Sequence, residues 1–257
     1  MRGWAAGLVF SAAPMLLLPA DAQDAAALFS QGVQAYAAEN YEGAIELFDK
    51  AVAARPNVSE YHHWLGKACG RRAERISRLR ALGLARRVRS SFERAVELDG
   101  ANIQALADLL EYYLEAPGIV GGGEDKARSI ALRLARLNPA EGHRAQAAIL
   151  AKRKDYAGAE RELRRAVELE PAKLGRLLDL ASFLSERGRH AEADQLFDRA
   201  ADLDPGSPDL LFARGKQLAL SRRDPRKARS LLEQYLRAAR SPDDPPPSEV
   251  QALLRRL

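Results

Sequence analysis

The chain has 257 residues, of which 47% are apolar and 29% are charged, with a formal net charge of +5. This apolar content supports a substantial core and excludes a disordered chain. Ala, Leu, Arg and Glu are abundant, whereas aromatic residues make up only 6%. Because those four side chains lose little freedom in a helix, the composition favours an all-α fold.

The first 22 residues have the pattern of a secretory signal peptide. Arg2 gives a positive start, an apolar run extends from Trp4 to Leu18, and a small-x-small cleavage motif ends at Ala22. The apolar run of about 15 residues is shorter than the roughly 20 needed to span a bilayer, so a cleaved leader is favoured over a membrane anchor. We therefore expect an exported protein, periplasmic or secreted after cleavage near Ala22.

Large and small apolar residues recur in a fixed pattern beyond the leader. In four segments a large apolar residue is followed three places later by Ala, which puts both on one helix face. These pairs are Phe48/Ala51, Phe92/Ala95, Leu163/Ala166 and Phe197/Ala200. A helix terminator follows each of these four segments and one further predicted helix, and the five terminators are Pro56, Gly100, Pro139, Pro171 and Pro205.

A second helix is predicted before each of these helices. It is marked at one position, where the two helices must approach closely, by a residue that is small in all cases but one. These positions are Gly32, Gly66, Leu110, Ala147, Ala181 and Gly215. One helix pair cannot bury its own apolar stripe, but a stack of pairs can. The pattern therefore predicts a stack of helix-turn-helix units.

The pattern resembles the tetratricopeptide repeat family over roughly residues 24–240. The first unit matches at Leu28, Gly32, Ala44, Phe48, Ala51 and Pro56, and Pro171 to Pro205 spans the family period of 34 residues. The resemblance implies an all-α superhelix of about six helix-turn-helix units, whose first helices line a concave groove. The expected units are 25–58, 59–102, 103–139, 140–173, 174–207 and 208–240, within a solenoid over 23–240.

Unit two is ten residues longer than the family period. Helical spacing continues through the excess, which predicts that both helices are lengthened and meet near Gly83 in a protruding hairpin. Residues 71–89 contain eight arginines against one acid, Glu74. Arg71, Arg75, Arg78, Arg86 and Arg87 are candidates for contacting an acidic partner or anionic lipid headgroups. The alternative is a solvated surface without a ligand.

Two further segments depart from the repeat. A Gly-rich loop at 117–123 precedes Glu124 and Asp125, lacks the Lys-Ser/Thr of a phosphate-binding loop, and is predicted to be a connector or an edge of a partner site. Residues 241–257 are predicted to form a stiff Pro-rich linker and a C-terminal helix that caps the stack. Ser248 and Gln251 are predicted to form the capping box of that helix.

The sequence offers no catalytic, metal or cofactor site. His62 and His63 point about 100° apart on a helix, and no zinc-binding or nucleophile motif is present. The single cysteine, Cys69, is expected to be a small buried apolar residue. We therefore predict a non-enzymatic binding protein without cofactors.

The resemblance also places candidate partner-binding residues in the concave groove. Besides the arginines named above, these are Phe29, Val33, Tyr36, His63, Lys67, Glu111, Arg144, Lys152, Phe212 and Lys216. An apolar N-terminal end and a cationic stretch in unit two suit a helix or extended peptide with some acidic residues. The predicted function is a protein-protein interaction scaffold of the cell envelope that does not bind nucleic acid. The alternative is a membrane-surface or polyanion binder acting through residues 71–89.

Overall fold

The computed structural model describes residues 20–238 and 240–257, with side chains from Asp24 onward except that of Arg78. Residues 1–19, and with them most of the predicted signal peptide, lie outside the described residues. Within the described part, all regular elements are helices and no strand is present. The all-α prediction is therefore confirmed.

In the described residues, twelve α-helices pair in chain order into six helix-turn-helix units, and a thirteenth helix follows them. The six pairs are α1 (Ala20–Ala37) with α2 (Tyr41–Ala54), α3 (Ser59–Glu74) with α4 (Arg78–Leu98), α5 (Ile103–Glu115) with α6 (Glu124–Leu137), α7 (Pro139–Lys152) with α8 (Tyr156–Leu169), α9 (Leu174–Glu186) with α10 (His190–Leu203), and α11 (Pro208–Ser221) with α12 (Pro225–Arg237). The last helix is α13 (Pro247–Leu254), and a single 3-10 turn covers Gly118–Val120.

The helices end where the sequence predicts. α2, α4, α6, α8 and α10 each stop two residues before one of the predicted terminators. Asn side chains begin several of the following elements, because their oxygen accepts an otherwise unsatisfied backbone N–H. The Oδ1 atoms of Asn40, Asn102 and Asn138 cap α2, α5 and α7 in this way.

Glycines let the two helices of a unit approach closely. A Cβ atom on Gly32 would lie 2.5 Å from the Phe48 ring, and one on Gly66 would lie 2.5 Å from the Phe92 ring. The large residue of the second helix thus fills the space left by the small residue of the first. Cys69 is fully buried in the same core, as predicted.

The prediction that the helices of unit two meet near Gly83 is wrong. α3 ends at Glu74, residues 75–77 make the turn, and Gly83 lies inside α4. Good helix formers on both sides of Gly83 outweigh the cost of one glycine, which is about 1 kcal/mol. The extension therefore belongs mainly to α4, and its first turns project outward, with Leu79 81% exposed.

The C-terminal segment differs from the prediction in one respect. α13 packs against α11 and α12 and buries Val250 and Leu253. Ser248, however, is not the N-cap of a capping box. Pro246 occupies the cap position, and the Ser248 hydroxyl donates to Glu39 of unit one at 2.5 Å.

Candidate functional site

The first helices of units three, four and five line an open groove of about 800 Å³. Its floor consists of small side chains on α5 and α7, including Ala107, Ala145 and Ala148. Small residues on adjacent helices let a ligand approach the helix surfaces closely. Three of the residues predicted from the resemblance, Glu111, Arg144 and Lys152, line this groove together.

Carboxylates dominate the lining of this groove. Six acidic residues face it, against two basic ones, Arg144 and Lys152. The acidic residues are Asp108, Glu111, Glu115, Glu141, Asp179 and Glu186. The sequence predicts a mixed groove that suits a peptide with some acidic residues, whereas acidic side chains outnumber basic ones in the open groove of the structure.

The pKa values of two of these carboxyl groups are raised. Partial desolvation by the surrounding helices, together with the negative charges of Asp108 and Glu115, raises the pKa of Glu111. Desolvation also raises the pKa of Asp179 against the opposing effect of Arg144 and Arg176, although 38% of its side chain still faces solvent. A cation placed beside Glu111 would offset its repulsion from Asp108 and Glu115.

A buried arginine holds the wall of the groove together. Only 6% of the Arg176 side chain is exposed, and its guanidinium donates to Glu141 of α7 and, at 2.8 Å, to Glu170 after α8. Burial would raise the pKa of Glu141, but Arg144 and Arg176 outweigh it and lower that pKa. Sequence reasoning missed Arg176, whose signal is a lone arginine within the apolar stretch 174–178.

The predicted groove residues of unit one belong to the core or lie beneath another segment. Phe29 and Val33 pack against the buried cluster of units one to four, and the Phe29 ring stacks on Tyr61 at a centroid distance of 4.8 Å. Tyr36 is 5% exposed, and this burial raises its pKa to about 12.

The predicted cationic stretch of unit two is paired with acids of the same chain. His63 Nε2 lies 2.7 Å from Asp108 Oδ2, and Lys67 pairs with Asp243 of the C-terminal segment. Arg71 Nη1 lies 3.4 Å from Glu74, while Arg75 pairs with Glu39. The cationic N-terminal half of the groove is thus neutralised internally.

The arginines of α4 follow the same trend. Arg87 binds Asp49 of α2 at 2.5 Å, and Arg89 lies 3.7 Å from Glu93. Arg80 and Arg86 are exposed, and the side chain of Arg78 lies outside the described residues. Internal pairing therefore removes much of the basic patch on which the polyanion alternative depends.

The two candidates in unit six contact α12 and α13. The Phe212 ring packs against Tyr235 of α12 at a centroid distance of 5.3 Å, and Lys216 Nζ lies 3.2 Å from Glu249 Oε1 at the start of α13. Phe212 therefore belongs to the core of the last unit, and Lys216 is paired within the chain.

The Gly-rich loop at 117–123 is a packed connector. Val120 is 1% exposed, and its carbonyl accepts a hydrogen bond from the Tyr112 hydroxyl at 2.8 Å. Gly121 has φ of +95°, and a Cβ atom there would lie 1.9 Å from Arg89. Glycine is therefore needed both for the backbone conformation and for the close approach to α4.

The described residues contain neither a cluster of metal-binding side chains nor a helix that could span a membrane. No group of three or more His, Cys, Asp or Glu side chains in that part of the chain is arranged to hold a metal ion. Among the helices from Ala20 onward, none combines the length and the apolar character that crossing a membrane requires.

Residues 150–216 match the family model of the tetratricopeptide repeat. Similar solved structures include a tetratricopeptide repeat protein of Thermus thermophilus, 24% identical, covering 76% of this chain and 98% of that one at a TM-score of 0.55. Another is a tetratricopeptide repeat protein of Parabacteroides merdae, 13% identical, covering 91% of this chain and 98% of that one at a TM-score of 0.53. At these identities the likeness shows the fold.

One curated relative matches half of the chain. Cellulose synthase 2 operon protein C of Komagataeibacter xylinus is 35% identical over 136 residues, which are 51% of this chain and 10% of that protein. The matched region is thus about a tenth of that relative's length.

Proposed function

The chain is a tetratricopeptide repeat protein, and we propose that it is a non-catalytic scaffold that binds a basic peptide or helix in its concave groove. The fold implies a protein-protein interaction scaffold. The observation that carries the finer proposal is the groove of α5, α7 and α9, which is open and lined by six carboxylates against two cations.

The charge distribution supports a ligand with spaced Lys or Arg side chains. Glu115 is 2.8 Å from Lys152, and Glu141 is held by Arg144 and Arg176. Glu111 and Glu186 have no basic partner within 4.0 Å in the described part of the chain. A basic side chain can pair with them without displacing an existing ion pair, while the alanine floor accommodates the backbone of the ligand.

The proposed location is the cell envelope, and it rests on the predicted leader. Fractionation of the host cells, followed by N-terminal sequencing of the native protein, would test it. A mature N-terminus near Gln23 is the expected result, and a full-length protein in the cytoplasmic fraction would contradict the proposal.

Peptide binding measured by fluorescence anisotropy tests the groove. A labelled peptide with Lys at every third or fourth position is compared with the same peptide carrying Glu at those positions. We expect only the Lys peptide to bind, and Glu111→Lys together with Glu186→Lys to weaken its binding at least about tenfold, since close interfacial charge pairs couple by about 1.5 kcal/mol or more.

Glu46→Lys is the matched control, because Glu46 is an exposed carboxylate on α2, outside the groove. It should leave the affinity unchanged apart from a small effect of net charge. Equal binding of both peptides, or equal loss in the Glu46 control, would show that the groove does not select basic ligands.

A further inference from the structure

Residues 241–248, here called the strap, run from the last unit across the first two units. The Tyr235 hydroxyl of α12 anchors the strap by donating to the Pro245 carbonyl at 2.6 Å. From there the strap lies over Tyr36, Lys67 and Arg71, which are groove positions of units one and two by the family pattern. This half of the concave face therefore already holds a peptide, and that peptide belongs to the chain itself.

Lys67 of α3, Arg75 just after α3 and Glu39 after α1 hold the two ends of the strap. Asp243 pairs with Lys67, whose ammonium also lies 4.9 Å from the Trp64 ring centroid. Ser248 donates its backbone N–H to Glu39 at 3.0 Å, and Arg75 donates to the Ser248 hydroxyl at 3.3 Å. Lys67 thus offers a positive charge to an acidic side chain of the strap, and Glu39 offers a carboxylate to a backbone N–H and a hydroxyl.

The prolines of the strap lie beside aromatic residues. Tyr36 and Tyr41 line a small cavity of about 120 Å³ together with Pro242, Pro246 and Pro247. Proline segments suit aromatic grooves, because their extended conformation is largely fixed before binding and costs little entropy.

A turn organises the acidic end of the strap. The Asp244 carboxylate accepts the Ser241 N–H at 2.7 Å, and the Asp244 N–H donates to the Ser241 carbonyl at 3.1 Å. Asp244 therefore shapes the peptide, while Asp243 is left to face Lys67.

We propose that α1, α2 and α3 form a second binding site, for acidic segments followed by prolines in a partner protein, and that the strap occupies this site in cis. This site is separate from the acidic groove of units three to five, and it takes ligands of the opposite charge. The strap then acts as an internal competitor that a partner segment must displace.

The strength of the contacts is compatible with displacement. The strap is held by a small number of polar contacts, among them the pair of Lys67 and Asp243, whose side chains are 12% and 35% exposed. A single pair that keeps contact with solvent contributes little to binding. A tethered peptide has an effective concentration of about 1 mM, so a segment with a Kd of about 0.1 mM would fill the site about nine-tenths of the time. An identical segment in trans would then bind roughly tenfold more weakly than to an empty site.

The probe for the test is a labelled synthetic peptide of residues 240–249, added to the full chain. A released variant, Asp243→Ala with Ser248→Ala, loses the pair between Asp243 and Lys67 and the contacts of the Ser248 hydroxyl but keeps α13. We expect the peptide to bind the released variant about tenfold or more tightly than the intact chain. Adding Lys67→Glu should abolish this binding and create binding of a peptide that carries Asp243→Lys.

The exchange of charges distinguishes a binding site from loss of fold, since an unfolded variant cannot gain affinity for the altered peptide. Lys50→Glu, an exposed lysine on α2, is the matched control and should change neither affinity. Equal affinity of the intact and released chains for the peptide, or binding that survives Lys67→Glu, would overturn the proposal. Binding of the Lys peptide to the acidic groove should be unaffected, so this site and that groove fail or succeed independently.

Discussion

The Glu39 carboxylate accepts hydrogen bonds from the backbone N–H and the hydroxyl of Ser248, which lies 209 residues further along the chain. Glu39 itself has φ of +61°, a left-handed conformation that favours glycine. Lys154 and Gly188 occupy the corresponding turns of units four and five, with φ of +64° and +76°. A strained glutamate in unit one is therefore associated with a long-range contact that a glycine could not make.

Replacing Glu39 by glycine is expected to destabilise the chain by roughly 1 kcal/mol. Glycine relieves the backbone strain, but the loss of the charge-assisted bonds to Ser248 and Arg75 outweighs that relief. Lys154→Gly is the matched control and should stabilise by about 0.5 to 1 kcal/mol, because only the strain is removed. Urea unfolding measures both changes, and a stabilising Glu39→Gly would show that the contact to Ser248 contributes nothing.

The contribution of Glu39 should also depend on pH. Burial would raise the pKa of Glu39, but Ser248 and Arg75 outweigh it and hold that pKa below the ordinary value of 4.5. A depressed folded-state pKa stabilises fully above pH 4.5, and that stabilisation is lost as the pH falls through the folded-state pKa. The difference between wild type and Glu39→Gly should therefore shrink below pH 4.5 and be constant from about pH 6 to 8.

Among the charged residues of units four and five, Arg176 is expected to lower the folding stability most when it is replaced. Arg176→Met leaves Glu141 without one of its two cations inside the wall of the groove, which should cost about 3 kcal/mol, as for other broken buried ion pairs. Arg165→Met is the control, since Arg165 is 57% exposed and pairs with Glu168, and it should change stability by less than about 1 kcal/mol. Similar effects of both variants in urea unfolding would contradict a special role of Arg176.

The sequence predicts the helix pairs around the groove better than it predicts the charge of the groove. Small residues, large residues and terminators recur with the family period, so the helix pairs follow from local patterns. The neutralisation of Lys67 by Asp243 joins residues 176 positions apart, and no local pattern contains that information. The family pattern therefore predicts which residues face inward, but the surface that remains open depends on where the C-terminal segment returns.

Binding of a basic peptide to the groove of units three to five should release protons at acidic pH. The pKa values of Glu111 and Asp179 are raised in the free protein, and a nearby cation favours their charged forms. Affinity should therefore increase as the pH rises through these raised pKa values. Calorimetry across acidic pH in two buffers with different ionisation enthalpies measures the protons released.

Variants separate the groups that could cause this pH dependence. Glu111→Gln with Asp179→Asn should remove most of it, whereas His63→Gln controls for the imidazole that contacts Asp108 at 2.7 Å. If the His63 variant alone removes the pH dependence, the raised pKa values of the two carboxyl groups do not govern binding.

Gly83 and Gly66 have opposite surroundings, so the same substitution should have opposite effects. Nothing lies within 4 Å of a Cβ atom at Gly83, which is inside α4, whereas a Cβ atom at Gly66 would lie 2.5 Å from Phe92. The sequence alone does not separate them, because a glycine between two apolar stretches indicates a turn as readily as an exposed helix position. The distinction depends on the residues that pack against each glycine.

Gly83→Ala should therefore stabilise the chain by about 0.5 to 1 kcal/mol, the usual gain for alanine over glycine in an exposed helix. Gly66→Ala should destabilise it by about 1 to 3 kcal/mol, because the methyl group forces Phe92 out of its position. Urea unfolding of the two variants measures this contrast. If Gly83→Ala left the stability unchanged or lowered it, the turn of unit two would instead lie near Gly83, and α3 would be longer and α4 shorter.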